Sequence, residues 1–469
     1  MHLRQRAICI AAAFFSFTGY AFAQNEPMPI LFTNVNVWDG RSEQLLQNAN
    51  VVVTGNLITA VSAERLAVAN ARIIDGGGRT LMPGLIESHV HLNYQHMIGG
   101  YDSIEQRDWQ EIGAMGAATA RALLLDGWTT IRDPGASLKG ISDVIDRGEI
   151  IGPRLYQATA VIGQTGGHGD FRLKGQRRLG DRTTFRAGEL GMTHIVDGRP
   201  DTLSAARQNL ANGADFLKMM MGGGIFSSKD PLHSRQSADE EIAAVVEVAD
   251  AWDTYVTAHI YRAEDAARAI EFGMKEILHV PFLTPEVAQL FVDNGVYYNP
   301  QLSASNPEAL EVIFGPTESV NKAKARVAQV GMQQVVEILK STPALMDLTV
   351  FGVDIVTVTP EAARRNRDFE MYFWAENFGN LAVLKSMTSI GGDVAALTGQ
   401  WNPYPDGPLG VIEEGAYADI LLVEGNPLED ITVLGANSDQ YGAPDRGAGE
   451  IATMDLIMKD GVIYKNTLE

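Results

Sequence analysis

The chain has 469 residues and an apolar content of 45%, which predicts one large globular domain with a smaller companion. Its formal net charge of −21 makes nucleic acid and anionic membrane surfaces poor partners. After the first segment no apolar run reaches the ~20 residues that a membrane-spanning helix needs, so no membrane insertion is expected after that segment is removed.

The N-terminal segment has the pattern of an export signal. Two arginines precede an apolar stretch over residues 7–22, which ends in Ala21-Phe22-Ala23. This order is typical of a signal peptide, so residues 1–23 are predicted to be removed and the protein to be exported, with a periplasm as its destination. A buried N-terminal helix is the alternative. The single cysteine, Cys9, lies in this segment, so metal ligands in the mature chain must be His, Asp, Glu or a modified Lys.

Short strand-like segments with turn signals between them occur at both ends of the mature chain. We expect the two groups to share one small antiparallel sheet, and we assign residues 24–83 and 401–469 to a β-sandwich domain. The predicted strands are 31–37, 50–53 and 57–61 at the beginning, and 418–423, 455–459 and 461–464 at the end.

Between these ends, short β-rich runs alternate with helical stretches such as 238–250 and 263–272, which indicates parallel βα units. The candidate strands are 84–91, 129–133, 155–162, 216–220, 255–260, 276–280, 296–302 and 348–356. Eight such units predict an α/β fold with a (β/α)₈ TIM barrel over residues 84–400. A doubly wound open sheet is the alternative, but no glycine-rich phosphate loop follows the first strand.

The predicted strand ends carry metal-ligand side chains. His89 and His91 stand two apart on the first strand and therefore point to one side, as two ligands of one metal should. This pair alone is a weak signal. Active sites of the barrel fold lie where the strands end, and chance explains poorly why further candidates stand there. They are Lys218, His259, His279 and Asp354, after the fourth, fifth, sixth and eighth strands.

Several motifs resemble those of one family. Residues 81–91, LMPGLIESHVH, look like the first-strand signature of the amidohydrolase superfamily, and residues 415–428 resemble its C-terminal signature. The similarity covers essentially the whole mature chain. Residues 164–170, QTGGHGD, and 221–224, MGGG, resemble the imidazolonepropionase-related subgroup, which contains dipeptidases of the Xaa-Pro and Xaa-Arg or Xaa-Lys type.

The resemblance implies a centre with two divalent metal ions, for which zinc is the first choice. In this superfamily a lysine after the fourth strand usually carries a CO₂-derived carbamate, because an ammonium group has no lone pair for a metal. For Lys218 the residues alone also allow a buried lysine paired with a carboxylate. The ligands implied are His89, His91 and Asp354 for one metal, His259 and His279 for the other, and carbamylated Lys218 between them.

These metals imply hydrolysis of a C–N amide bond, in a dipeptide or an N-acyl amino acid. Two cations lower the pKa of a shared water, the water attacks the carbonyl carbon, and Asp354 passes its proton to the departing nitrogen. Asp354 as a ligand only is the alternative role. A cyclic-amide hydrolase or deaminase and an inactive binding homologue are the alternative functions, and a homo-oligomer is compatible with the sequence.

Substrate contacts are expected from two further side chains. By the resemblance, His168 contacts the substrate or polarises its carbonyl, and the alternative is a loop histidine turned to solvent. Tyr261, two residues after His259, faces the same side and is a candidate donor to a substrate carboxylate, unless it only packs under the next loop. Residues 357–380 form either a cap over the pocket or a helix with a buried aromatic face.

Overall fold

A computed structural model describes residues 28–94, 101–136, 138–173, 175–176, 185–227, 229–306, 308–356 and 358–468. The predicted signal peptide at 1–23 and Cys9 lie outside these ranges. Among the helices in these ranges, none combines the length and the apolar character needed to cross a membrane.

The strands form three groups along the chain: one at each end, and one in the middle that alternates with helices. In chain order they are β1 (Ile30–Val37), β2 (Leu46–Thr54), β3 (Leu57–Ser62), β4 (Arg72–Asp75), β5 (Thr80–Pro83), β6 (Leu85–Glu87), β7 (Trp128–Asp133), β8 (Arg154–Gln157), β9 (Val161–Gly163), β10 (Thr193–Ile195), β11 (Leu217–Met220), β12 (Val256–Arg262), β13 (Glu276–Phe282), β14 (Tyr297–Asn299), β15 (Ile420–Val423), β16 (Met454–Lys459) and β17 (Val462–Asn466).

The α-helices lie mainly between the middle strands and after them, as the alternating pattern predicts. In chain order they are α1 (Trp109–Leu125), α2 (Lys139–Asp146), α3 (Arg186–Glu189), α4 (Arg199–Ala211), α5 (Asp239–Ala251), α6 (Ala263–Glu271), α7 (Pro285–Asn294), α8 (Ala309–Phe314), α9 (Val320–Ser341), α10 (Pro343–Met346), α11 (Pro360–Phe378), α12 (Asn380–Ser386) and α13 (Ser389–Ala396). Short 3₁₀ helices cover Tyr101–Gln106, Leu302–Ser305, Gly399–Trp401 and Ile431–Leu434.

Both chain ends contribute to one eight-stranded sheet in the order β17-β16-β15-β5-β1-β2-β3, with β4 also paired to β1. The shared sheet was predicted, but an all-antiparallel sheet was not correct, because β1 pairs in parallel with both β4 and β5. The reason is that β2 and β3 form an antiparallel hairpin on one edge of β1. After these two reversals the chain runs in the direction of β1 again, so β4 and β5 pair in parallel with the other edge of β1. Apolar side chains of both ends, including Val51 and Leu456, are fully buried together.

The middle strands pair in parallel, in a sheet β6-β7-β8 and a sheet β10-β9-β11-β12-β13-β14. This confirms the mixed α/β class and the parallel βα units. The first predicted strand, 84–91, is regular only over β6. The third, 155–162, is divided into β8 and β9 because Thr159 between them takes a left-handed backbone conformation, with φ at 56°.

The eighth predicted strand, 348–356, is not a regular strand. Thr349 forms a single parallel bridge with Tyr298 of β14. On its other side the Phe351 carbonyl accepts from the Ser88 N–H at 3.0 Å, and the Asp354 N–H donates to the His89 carbonyl at 2.8 Å. Asp354 has a φ of 50°, which a regular strand does not contain. The segment nevertheless lies between β14 and β6 and links the two parallel sheets.

Within residues 357–380, α11 is a helix with a buried aromatic face, and Val358 and Asn366 of the same segment line the cavity at the strand ends. Thr357 lies outside the described residues. Trp374 on this helix is fully buried, and its ring lies 5.7 Å from that of Phe351. The helix thereby supports the segment that carries Asp354.

Candidate active site

One cavity of about 170 Å³ lies where the parallel strands end, and every predicted site residue lines it. The strands thus bring together side chains that are far apart in the sequence, as the position of active sites in related folds predicts. The predicted residues in its wall are His89, His91, His168, Lys218, His259, Tyr261, His279 and Asp354.

His89, His91 and Asp354 form a compact group that fits a divalent cation. The Nε2 atoms of His89 and His91 lie 3.4 and 3.2 Å from Oδ1 of Asp354. One ligand atom of each residue lies within 4.8 Å of those of the other two. Two imidazoles and a carboxylate are a donor set that zinc and similar divalent ions accept. This group corresponds to the first predicted metal site.

The second predicted pair, His259 and His279, lies beside the first group. The two rings are 4.5 Å apart, and the His279 ring is 5.2 Å from that of His89. His259 Nε2 is 3.4 Å from the Gly223 carbonyl, so a proton there leaves Nδ1 free as a ligand atom. His279 Nδ1 lies 2.5 Å from Oε1 of Gln301, which in turn leaves its Nε2 free.

Lys218 on β11 is buried, with 1% of its surface exposed. Within the described ranges it forms no hydrogen bond or ion pair. No carboxylate in these ranges therefore forms the pair with Lys218 that the alternative interpretation requires. Burial lowers the pKa of Lys218 to about 7, although Asp354 and Glu276 act in the opposite direction. A neutral amine is the form that combines with CO₂, so this environment suits a carbamate.

Two of the ligand candidates stand on strained backbone. His279 and Asp354 have φ values of 73° and 50°, a region that non-glycine residues enter rarely and at a cost in free energy. Gly352 permits the close approach of this segment to the first strand, because a Cβ there would lie 2.6 Å from Cβ of His89. The buried carboxylate of Glu87 accepts from the N–H groups of His89 and Val353 at 3.1 and 3.0 Å. Together these features hold Asp354 against the two histidines.

Asp133, at the end of β7, was not predicted as a site residue. Its carboxylate is buried and accepts from His91 Nδ1 at 3.2 Å and from the N–H groups of Leu92 and Gly135 at 2.8 and 3.0 Å. A proton held on Nδ1 leaves Nε2 of His91 directed at Asp354. Although burial alone would lower it, the pKa of His91 is raised to about 9 by Asp133 and Asp354. The position of Asp133 at a predicted strand end was the available signal.

Gln301 is a second residue that the sequence reasoning missed. Besides its contact with His279, its Nε2 lies 3.3 Å from Nδ1 of His89, so one amide spans both proposed metal sites. Such partners orient metal-binding imidazoles and are a regular feature of metal centres. Gln301 lies at the end of the predicted seventh strand, 296–302, and this position was the available signal.

His168 and Tyr261, the two predicted substrate contacts, both stack on His259. The His168 ring stacks on that of His259 at 4.1 Å, and its Nδ1 is 3.1 Å from Oδ2 of Asp230, so a solvent-facing histidine is not what the structure contains. Gly224 allows this position, because a Cβ there would lie 2.1 Å from Cε1 of His168. Tyr261 stacks on His259 at 5.1 Å, which confirms that the two share one side of β12. Its contact with a carboxylate stays a prediction.

Comparison with known sequences agrees with the resemblance that the sequence motifs indicate. The family model described as "Amidohydrolase family" matches residues 80–342 of this chain. Among characterised relatives, an ochratoxinase of Aspergillus niger is 29% identical over 404 residues, which are 83% of this chain and 80% of the relative.

Solved structures are similar over nearly the whole length. A prolidase crystallised with N-methylphosphonate-L-proline has 28% identity and a TM-score of 0.80, and covers 94% of this chain and 100% of its own. A Xaa-Pro dipeptidase with methionine bound in its active site has 26% identity and a TM-score of 0.76, and covers 93% of this chain and 100% of its own.

Proposed function

The chain belongs to the amidohydrolase family and is a hydrolase that acts on amide-like C–N bonds, and we propose that it cleaves a dipeptide or an N-acyl amino acid at a two-metal centre. The observation that carries the proposal is the convergence of all six predicted ligand residues on one cavity. The prolidase and the Xaa-Pro dipeptidase among the similar structures support the dipeptide class.

The proposed centre uses two groups of ligands with a shared residue. His89, His91 and Asp354 would hold one divalent ion, and His259 and His279 the other. Lys218 as a carbamate would join them, which its burial and its lack of a partner in the described chain support. Zinc is the metal that this set of nitrogen and oxygen donors favours. When bound, two such ions lower the pKa of a shared water and polarise the scissile carbonyl.

The chain's own residues would handle the proton and the substrate. Asp354 Oδ1 faces both His89 and His91, and its carboxylate lines the cavity, so it is placed to accept the proton of the attacking water and to deliver it to the departing nitrogen. His168, held at Nδ1 by Asp230, has its Nε2 free for the carbonyl oxygen. Tyr261 would donate to the free carboxylate of the substrate.

Three further parts of the proposal concern the whole chain. We take the two parallel sheets and the linking segment at 348–356 as a closed (β/α)₈ barrel over residues 84–400. The sheet of the two ends would then be a β-sandwich of residues 24–83 and 401–469. Residues 1–23 would direct export to a periplasm, and the N-terminal sequence of protein from a periplasmic fraction would test this, since it should begin at Gln24.

The function is tested by metal content and by a substrate screen on the same zinc-loaded preparation. We expect two zinc ions per chain by elemental analysis, and release of free amino acid from members of a dipeptide and N-acyl amino-acid library. The control is the same protein stripped with a chelator, which should be inactive and regain activity with zinc. A zinc-loaded protein that hydrolyses no member of the library would contradict the proposal.

A further inference from the structure

Part of the cavity wall, away from the proposed metal ligands, consists of apolar side chains that the proposed chemistry does not use. We call the space along this part of the wall the apolar chamber. Its walls come from the loop after β11, from α8 and from α9. The side chains that define it are Phe226, Leu310, Phe314, Ala325, Ala328 and Met332.

The walls of the apolar chamber are joined to each other. The rings of Phe226 and Phe314 stack at 5.7 Å, which links the loop after β11 to α8. Lys324 on α9 donates from Nζ to the Gly224 carbonyl at 2.9 Å, and also to the carbonyls of Ser227 and Asp230 in the same loop. One ammonium group thus ties three carbonyls of this loop to α9. These contacts fix the walls of the chamber relative to each other.

Charge is absent from the chamber walls among the described residues. Every charged side chain that lines the whole cavity belongs to the metal-ligand candidates or is His168 beside them. The ion pair that joins the two helices, Lys322 on α9 and Glu311 on α8 at 2.8 Å, does not line the cavity. A ligand charge in the chamber would therefore lose its water without gaining an ionic partner. Such burial costs several kcal/mol unless the group is paired.

The polar side chains at the edge of the chamber are already engaged with one another. Gln329 donates to the Asn306 carbonyl, the Asn306 amide donates to Gln440, and Gln440 donates to Asn366, each at 2.7 Å. These amides have found partners in the fold, so they offer a ligand little in place of water. The chamber is suited to a group that forms no hydrogen bonds.

We propose that the apolar chamber binds one half of the amide substrate, and that this half carries an uncharged aromatic or branched aliphatic group. The inference rests on the proposed amide hydrolysis and names its substrate class. The binding free energy comes from apolar surface removed from water, which corresponds to roughly a fourfold gain in affinity for each buried methylene. A charged group of similar length would lose this gain and its hydration.

The substrate arm uses two sets of dipeptides, X-Ala and Ala-X, in which X is Ala, Leu, Phe, Lys or Glu. In one set we expect kcat/KM to rise more than about 10-fold from Ala to Leu or Phe, and Lys and Glu to fall back to the Ala value or lower. Equal kcat/KM for all side chains in both sets, or a preference for Lys or Glu, would overturn the proposal while leaving amide hydrolysis intact.

The variant arm compares two positions on α9. Ala328 lines the chamber, whereas Ala323 lies on the exposed face of the same helix. Ala328→Leu should remove the advantage of Leu and Phe substrates and spare the Ala substrate, and Ala323→Leu should change neither. Phe314→Ala is a second variant that removes a wall, and it should lower kcat/KM for the Leu and Phe substrates about 10-fold. If Ala328→Leu and Phe314→Ala both keep the parent's preference, the chamber does not bind the side chain.

A binding arm separates this inference from the proposed function. Isothermal titration of the metal-loaded protein with 4-phenylbutanoate and with butanoate needs no turnover. We expect the phenyl compound to bind at least about 10-fold more tightly, with the difference lost in Ala328→Leu and kept in Ala323→Leu. That result without hydrolysis of any dipeptide would support the chamber and contradict the proposed function. Equal binding of both acids by the parent would overturn the chamber.

Discussion

Replacing Asp133 by asparagine tests whether a residue outside the ligand set decides metal binding. One oxygen of the Asp133 carboxylate accepts hydrogen bonds from His91 Nδ1 and the Gly135 N–H, and the other accepts from the Leu92 N–H. An asparagine has one oxygen only. In one orientation of its amide, the NH₂ group faces the Leu92 N–H. In the other orientation, the NH₂ group faces His91 Nδ1. The His91 proton then moves to Nε2, the atom that would bind the metal.

The magnitude follows from these contacts. Loss of a buried partner of a metal-binding histidine lowers metal affinity by about 10- to 100-fold, or about 1.4 to 2.7 kcal/mol. An unsatisfied buried N–H costs the fold about 1 to 3 kcal/mol. We therefore expect Asp133→Asn to bind zinc about 10- to 100-fold more weakly and to unfold at a lower temperature. Competition with a chromogenic zinc chelator and thermal unfolding followed by circular dichroism measure the two effects.

Asp215→Asn is the matched control. Asp215 is also a buried carboxylate and accepts from the Gln157 N–H at 2.8 Å, but it does not line the active-site cavity. We expect it to leave zinc affinity unchanged and to cost less stability than Asp133→Asn, because the one oxygen of an asparagine can still accept from the Gln157 N–H. Zinc affinity of Asp133→Asn within twofold of the parent, with the stability loss present, would refute the orienting role of Asp133.

Three further substitutions test the proposed roles directly. Asp354→Asn should lower kcat by about 10²- to 10⁴-fold in zinc-loaded protein that remains folded, because an amide cannot relay the proton; near-normal kcat would remove this role. Lys218→Ala should lose the second metal or most activity, with partial recovery by added short carboxylic acids, and elemental analysis showing two metals with full activity would exclude the carbamate. Tyr261→Phe should raise KM by about 10-fold or more for substrates with a free carboxylate and much less for their C-terminal amides; equal effects on a matched acid and amide would show that Tyr261 does not contact the carboxylate.

The sequence was sufficient to identify the candidate ligands. His89, His91 and Lys218 stand at or after predicted strands, and parallel strands of one sheet end on one side, so their convergence follows from the strand pattern alone. The strand-like segments with turn signals at both chain ends likewise predicted that the ends share a sheet, as they do. Both inferences depend on local strand and turn signals that the chain itself carries.

Only the tertiary structure identified the residues that orient those ligands. The contact of His91 with Asp133 spans 42 positions, that of His168 with Asp230 spans 62, and that of Gln301 with His89 spans 212. No local period connects such pairs. The backbone of Asp354 is a similar case, because its left-handed conformation contradicts the strand that residues 348–356 predict. Contacts made elsewhere in the fold, through Glu87 and the His89 carbonyl, stabilise that conformation against the local preference of the chain.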